Sequence, residues 1–176
     1  MKKNVVITLI IFSLSFIVCG CSNNEIWDGM PFYFEESYEE AYDDMKSVSD
    51  DVNALDNSIS GKDVSWFGSD VNLFSVFLGV EKGDEKGLKS LSLSTHYILA
   101  EDLDYQETFN HDYEIVVEKL KEAYGDPLDG STDDEMSWYT DGVDVRLKTE
   151  YFDKSYAGGN IGISLDIHIQ QMKDAD

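Results

Sequence analysis

Shifting this sequence against itself by 72 residues lays Ser65-Trp66-Phe67 over Ser137-Trp138-Tyr139, Val71 over Val143, Gly87 over Gly159, Leu91 over Ile163, Ser92-Leu93 over Ser164-Leu165 and His96 over His168, with no gap. The same offset places Met45, Val48 and Val52 on Val117, Leu120 and Tyr124. Self-similarity at one fixed offset is the mark of a duplicated supersecondary unit. Whatever the first half folds into, the second half is expected to repeat.

Each half opens on a helical pattern. Ser37-Tyr38-Glu39-Glu40 reads as a capping box, with apolar residues following at Ala41, Met45, Val48, Val52, Leu55 and Ile59 until Gly61. The second helix is expected from about Asn110 to Tyr124, on a stripe of Tyr113, Val116, Val117, Leu120 and Tyr124, with Gly125 as its stop. Segments 64–67, 71–80 and 88–99, and then 136–139, 143–152 and 161–169, are rich in β-branched and aromatic residues and read as strands. Gly158-Gly159 is expected to turn the last pair. A lone three-stranded unit is marginal in water. The predicted fold is therefore α+β: two αβββ repeats, 37–100 and 108–170, forming one antiparallel sheet with both helices on one face, followed by an acidic tail at 171–176. In element order and repeat length, 37–170 is similar to the tandem-repeat fold of β-lactamase inhibitory proteins and their lipoprotein relatives. Those inhibitors have two helices and four strands per repeat and carry disulfides, so the likeness implies an architecture and no inhibitory activity.

The N-terminus reads as a secretory leader: Lys2 and Lys3, an uncharged run from Val5 to Val18, then small residues. The run is short of the roughly 20 apolar residues that span a bilayer. Val18-Cys19-Gly20-Cys21 resembles the lipobox of bacterial lipoproteins, with Cys19 where Ala or Ser is usual. That resemblance implies cleavage before Cys21, diacylglycerol on its sulfur, and a protein held at the cell membrane on its extracytoplasmic side. Removal of 1–20 leaves a single cysteine and no intramolecular disulfide, so stability must come from a packed core. Residues 21–36 are expected to form a polar tether and an aromatic arm containing Trp27, Met30, Phe32, Tyr33 and Phe34.

The formal net charge is −23, with Arg146 the sole arginine. Such a field opposes phosphate backbones and anionic head groups, which argues against nucleic-acid partners. No Gly-x-Ser-x-Gly elbow, His-Glu-x-x-His or phosphate-binding glycine loop is present in the sequence, and no cofactor is implied. His96 and His168 fall at matched strand positions on the polar side, where a paired metal or proton-transfer site competes with two solvated positions inherited by duplication. Asp129, Asp133 and Asp134 crowd the loop after the second helix as weak calcium candidates without EF-hand spacing. The 72-residue offset also sets Phe74, Val76 and Leu78 against charged Arg146, Lys148 and Glu150, which must face water. An apolar row is thus expected on the open face, covered either by the aromatic arm or by a partner protein. The sequence reading is a membrane-tethered, non-catalytic protein- or ligand-binding domain, with a cell-envelope hydrolase or calcium-binding protein as the alternative.

Overall fold

The computed structural model describes residues 26, 29–67, 70–84, 87–99, 102–157 and 160–172. The leader, Cys21, Trp27, the Gly158-Gly159 turn and the tail after 172 lie outside the described residues.

Helix α1 (Tyr38–Val48) starts at the capping box: Ser37 Oγ accepts from Glu40 N, and the Glu40 carboxylate accepts from Ser37 N at 3.0 Å. It is followed by strands β1 (Val52–Leu55), β2 (Ser58–Val64), β3 (Phe74–Gly79) and β4 (Ser90–Ile98). Helix α2 (Tyr105–Tyr124) then leads to β5 (Glu135–Thr140), β6 (Val143–Ala157) and β7 (Asn160–Gln171). The seven strands form one antiparallel sheet in the order β1-β2-β3-β4-β7-β6-β5.

This overturns the expectation of two αβββ repeats. The described chain is mostly β, with four strands after the first helix and three after the second. The extra hairpin occupies the segment where the helical stripe Val48, Val52, Leu55, Ile59 was expected to continue. Two local signals win there. Ser49 has extended backbone and its Oγ bonds Lys62 O at 2.6 Å and Lys62 N at 3.0 Å, ending the helix and seeding the hairpin. Asp56-Asn57 then make a two-residue turn, placing Leu55 opposite Ser58. Apolar spacings of three and four over so short a stretch did not distinguish the two outcomes.

The core lies on one face of the sheet. Ile59, Leu78, Leu91, Ile169, Val145 and Trp138 stand directly across from one another through six strands, each at most 1% exposed. A second row runs Gly61, Val76, Leu93, Ile167, Leu147, Met136. Each such aliphatic residue contributes about 1.5–3 kcal/mol through its removal from water. Both helices cover this face. Met45 of α1 sits so close over Gly61 that a Cβ there would meet its sulfur at 2.5 Å, which is why a glycine stands in the row. Val116 and Leu120 of α2 are fully buried in the same core, and Trp138 Nε1 donates to Gly125 O at 2.9 Å. The arm joins it as well, with Met30, Phe32 and Phe34 at most 4% exposed and Glu35 N bonded to Leu88 O at 3.0 Å. Gly87, at φ +63°, admits the arm because a Cβ there would lie 2.3 Å from the Glu35 backbone.

Candidate functional site

The uncovered face of the sheet is polar at its centre. Along β4 the outward residues are Ser92, Ser94 and His96; along β7 they are Ser164, Asp166 and His168. Antiparallel pairing crosses them, so that Ser92 opposes His168, Ser94 opposes Asp166 and His96 opposes Ser164. Ser92 Oγ lies 2.8 Å from His168 Nδ1. Ser94 Oγ donates to one oxygen of Asp166 at 2.5 Å, and Ser164 Oγ to the other at 2.8 Å. His96 is exposed and packs edge-on against Phe152 with ring centroids 5.9 Å apart. Flanking this cluster, Arg146 pairs with Asp144 at 2.9 Å and Lys148 with Glu150 at 3.3 Å.

A hydrolytic relay needs the imidazole between hydroxyl and carboxylate. Here the imidazole of His168 meets a hydroxyl, while the Asp166 carboxylate is taken up by two other hydroxyls. The arrangement is a hydrogen-bonded polar seam between the two central strands.

Phe74, Val76 and Leu78 are not on that face. All three are fully buried in the core, so they offer no surface to a partner. The reason is a one-residue change of register. Ser75 opposes Ser94 in the β3–β4 ladder, whereas Lys148 opposes Asp166 in the β6–β7 ladder. A slip of one residue moves every side chain of a strand to the other face. The outward positions of β3 are Ser75 and Phe77, the latter 54% exposed. Trp66 is half-buried in a loop and stacked on Phe67, whereas Trp138, its counterpart at the 72-residue offset, is buried in β5.

Asp129, Asp133 and Asp134 are exposed and do not converge. The Asp133 and Asp134 main-chain carbonyls are used internally, by Tyr113 Oη at 2.8 Å and Thr149 N at 2.9 Å. Among the described residues no three His, Cys, Asp or Glu side chains gather as a metal site.

One group to which the sequence reading gave no role is Asp112, which is 1% exposed. It accepts from Tyr97 Oη at 2.9 Å and Asn72 N at 3.0 Å, with His111 Nδ1 at 3.1 Å from its other oxygen. Burial first, then the Asp112 carboxylate, hold the Tyr97 hydroxyl well above the usual phenol range. The signal was present: α2 begins at Tyr105 and not near Asn110, and Asp112 lies on the inward stripe Tyr105, Phe109, Asp112, Val116, Leu120.

Asp112 also braces an opening. The last paired residues of β3 and β4 are Ser75 and Ser94, so the rest of β4 runs on alongside the 70–73 loop. Between them lies an open cleft of about 320 Å³, lined by Asn72, Leu73, His96, Ile98 and Asp102 among others. The Asp102 carboxylate is fixed by Thr108 Oγ1 at 2.7 Å and Asp104 N at 2.9 Å, and the Thr108 hydroxyl leads in holding it below the usual carboxylate range.

No protein-family model, no curated protein and no solved structure matches this chain.

Proposed function

We propose that this chain is an extracytoplasmic lipoprotein: residues 1–20 are removed, Cys21 carries diacylglycerol, and the domain beyond it is a non-catalytic binding module. The observation that carries the reading is how soon the fold starts after the cysteine. Ile26 is 3% exposed, its N–H donates to Phe32 O at 3.3 Å, and its carbonyl accepts from Tyr124 Oη at 2.6 Å. From Cys21 to Ile26 an extended chain reaches at most about 17 Å. A thioether at Cys21 therefore holds the globule beside the bilayer, and the net charge, −23 for the full chain and −25 once Lys2 and Lys3 leave with the leader, keeps it off anionic head groups and phosphate backbones.

The non-catalytic part of the reading is supported by the seam, whose histidine and carboxylate are committed to separate hydroxyls. Metabolic labelling with a fatty-acid probe tests the anchor. The wild-type chain is expected to take up label and Cys21→Ala to take up none; equal labelling of both ends the lipoprotein assignment.

A further inference from the structure

We infer that the end of the sheet farthest from Ile26 is a docking mouth for a cationic, amphipathic peptide segment. This inference deepens the binding-module reading above and takes its orientation from the anchor at Cys21.

The two ends of the domain differ in what they present. Ile26 lies by the C-terminal end of α2, bonded to Tyr124, and the arm that follows it is bonded at Glu35 to Leu88, just before β4 begins. Helix α2 has 20 residues and so spans about 30 Å, carrying the chain from the cleft at its N-terminal end to the tether side at its C-terminal end. A domain anchored near Ile26 therefore presents the cleft outward.

Leu73 and Ile98 give the cleft an apolar side, and two further leucines, Leu99 and Leu103, directly follow the lining residues Ile98 and Asp102. Leu103 is 84% exposed, Leu73 49% and Leu99 38%. Asp102 N bonds Ile98 O at 3.0 Å, closing a turn at the end of β4, while Leu73 lines the cleft from the facing loop. Exposed leucines beside a cleft favour a contact surface. The volume of the cleft accommodates one or two side chains of a partner and not a large ligand.

Charge selects the partner. The sequence contains no lysine or arginine between Lys62 and Lys82, or between Lys89 and Lys119, the two stretches that supply the cleft. Asp102 lines it, and Asp104, whose N–H donates to the Asp102 carboxylate at 2.9 Å, follows directly. Apolar side chains flanked by lysine or arginine fit such a mouth, the apolar group seated against Leu73 and Ile98 and the cation beside Asp102; an acidic segment is repelled.

The test is fluorescence anisotropy of a labelled peptide of alternating Lys and Leu, titrated with the full chain purified from membranes and held in neutral-lipid nanodiscs, against a Glu-Leu peptide of equal length. The Lys-Leu peptide is expected to bind and the Glu-Leu peptide to fail. Leu103→Lys, at a position too exposed to disturb folding, should weaken binding by about tenfold and Asp102→Asn by several-fold, with Glu118→Gln on the outer face of α2 unchanged. Absence of Lys-Leu binding, or equal loss in all three variants, overturns the inference in favour of general attraction by the net charge. Selective loss in a protein that carries no fatty acid keeps the mouth and removes only the anchor.

Discussion

The two faces of the central strands β4 and β7 are built from alternate residues of the same segments, yet they do opposite work. Inward, Leu91, Leu93, Ile163, Leu165, Ile167 and Ile169 are at most 1% exposed and continue into rows that cross the sheet. Outward, Ser92, Ser94, Ser164, Asp166 and His168 satisfy one another through short hydrogen bonds across the strand pair. The inner face derives its energy from apolar area and close packing, for which polar partners are irrelevant. The outer face contributes less to stability, because water can replace the hydrogen bonds of its part-exposed Ser92, Ser94 and His168. Residues two positions apart on one strand are therefore expected to differ greatly in what their removal costs.

The sharpest way to break that contrast is Leu91→Ala, which deletes a fully buried side chain between Leu78 and Ile169 and should cost about 2–5 kcal/mol by urea denaturation. A cost below about 1 kcal/mol would mean that the row is not packed as described. Asp112→Ala comes next. It leaves the Tyr97 hydroxyl and the Asn72 amide without their acceptor, and a loss of about 1–3 kcal/mol is expected from the same measurement. Ser37→Ala removes the capping box and should lower stability by about 1 kcal/mol, with helical circular dichroism falling at matched temperature.

A pH series sharpens the picture at the arm. Burial first, with Asp44 and Glu40 adding to it, pushes the Glu36 carboxyl up to about 7, while one of its oxygens accepts from Tyr33 N and the other is buried without a partner. The folded chain then holds a proton that the unfolded chain has released, so the stabilising contribution is complete below about pH 4.5 and is lost as pH rises through about 7. Melting temperatures at pH 5 and pH 8 should differ less in Glu36→Gln than in the wild type; an unchanged difference would show that Glu36 is not the group responsible. The smallest effect is expected on the open face, where Ser94→Ala and His168→Ala should each stay within about 0.5 kcal/mol. A loss comparable to that of Leu91→Ala would erase the contrast between the faces.

Much of this architecture was legible beforehand, and the errors have identifiable causes. The capping box at Ser37, the strands of the second half, the stop at Gly125 and the outward placement of His96 and His168 follow from local chemistry and alternation. The β1–β2 hairpin was hidden because Val48, Val52, Leu55 and Ile59 suit a helical stripe, and only the side-chain bonds of Ser49 reveal the break. The apolar row at Phe74, Val76 and Leu78 was assigned to the wrong face because an alignment of residues carries no information about ladder register. The cleft beside His96 was beyond sequence reasoning, since it exists only where β4 extends past its pairing with β3.

By itself the sequence determined the elements whose causes are local: the capping box at Ser37, the stop at Gly125 and the alternation that gives each strand two unlike faces. Tertiary structure alone decided which strands are neighbours, which of two registers each ladder adopts, and that Asp112 is a buried brace and not a solvated acid. The physical reason is that caps and alternation are satisfied within a few residues. Register and burial are chosen by the simultaneous packing of strands far apart in the chain, where one residue of slip exchanges core for surface.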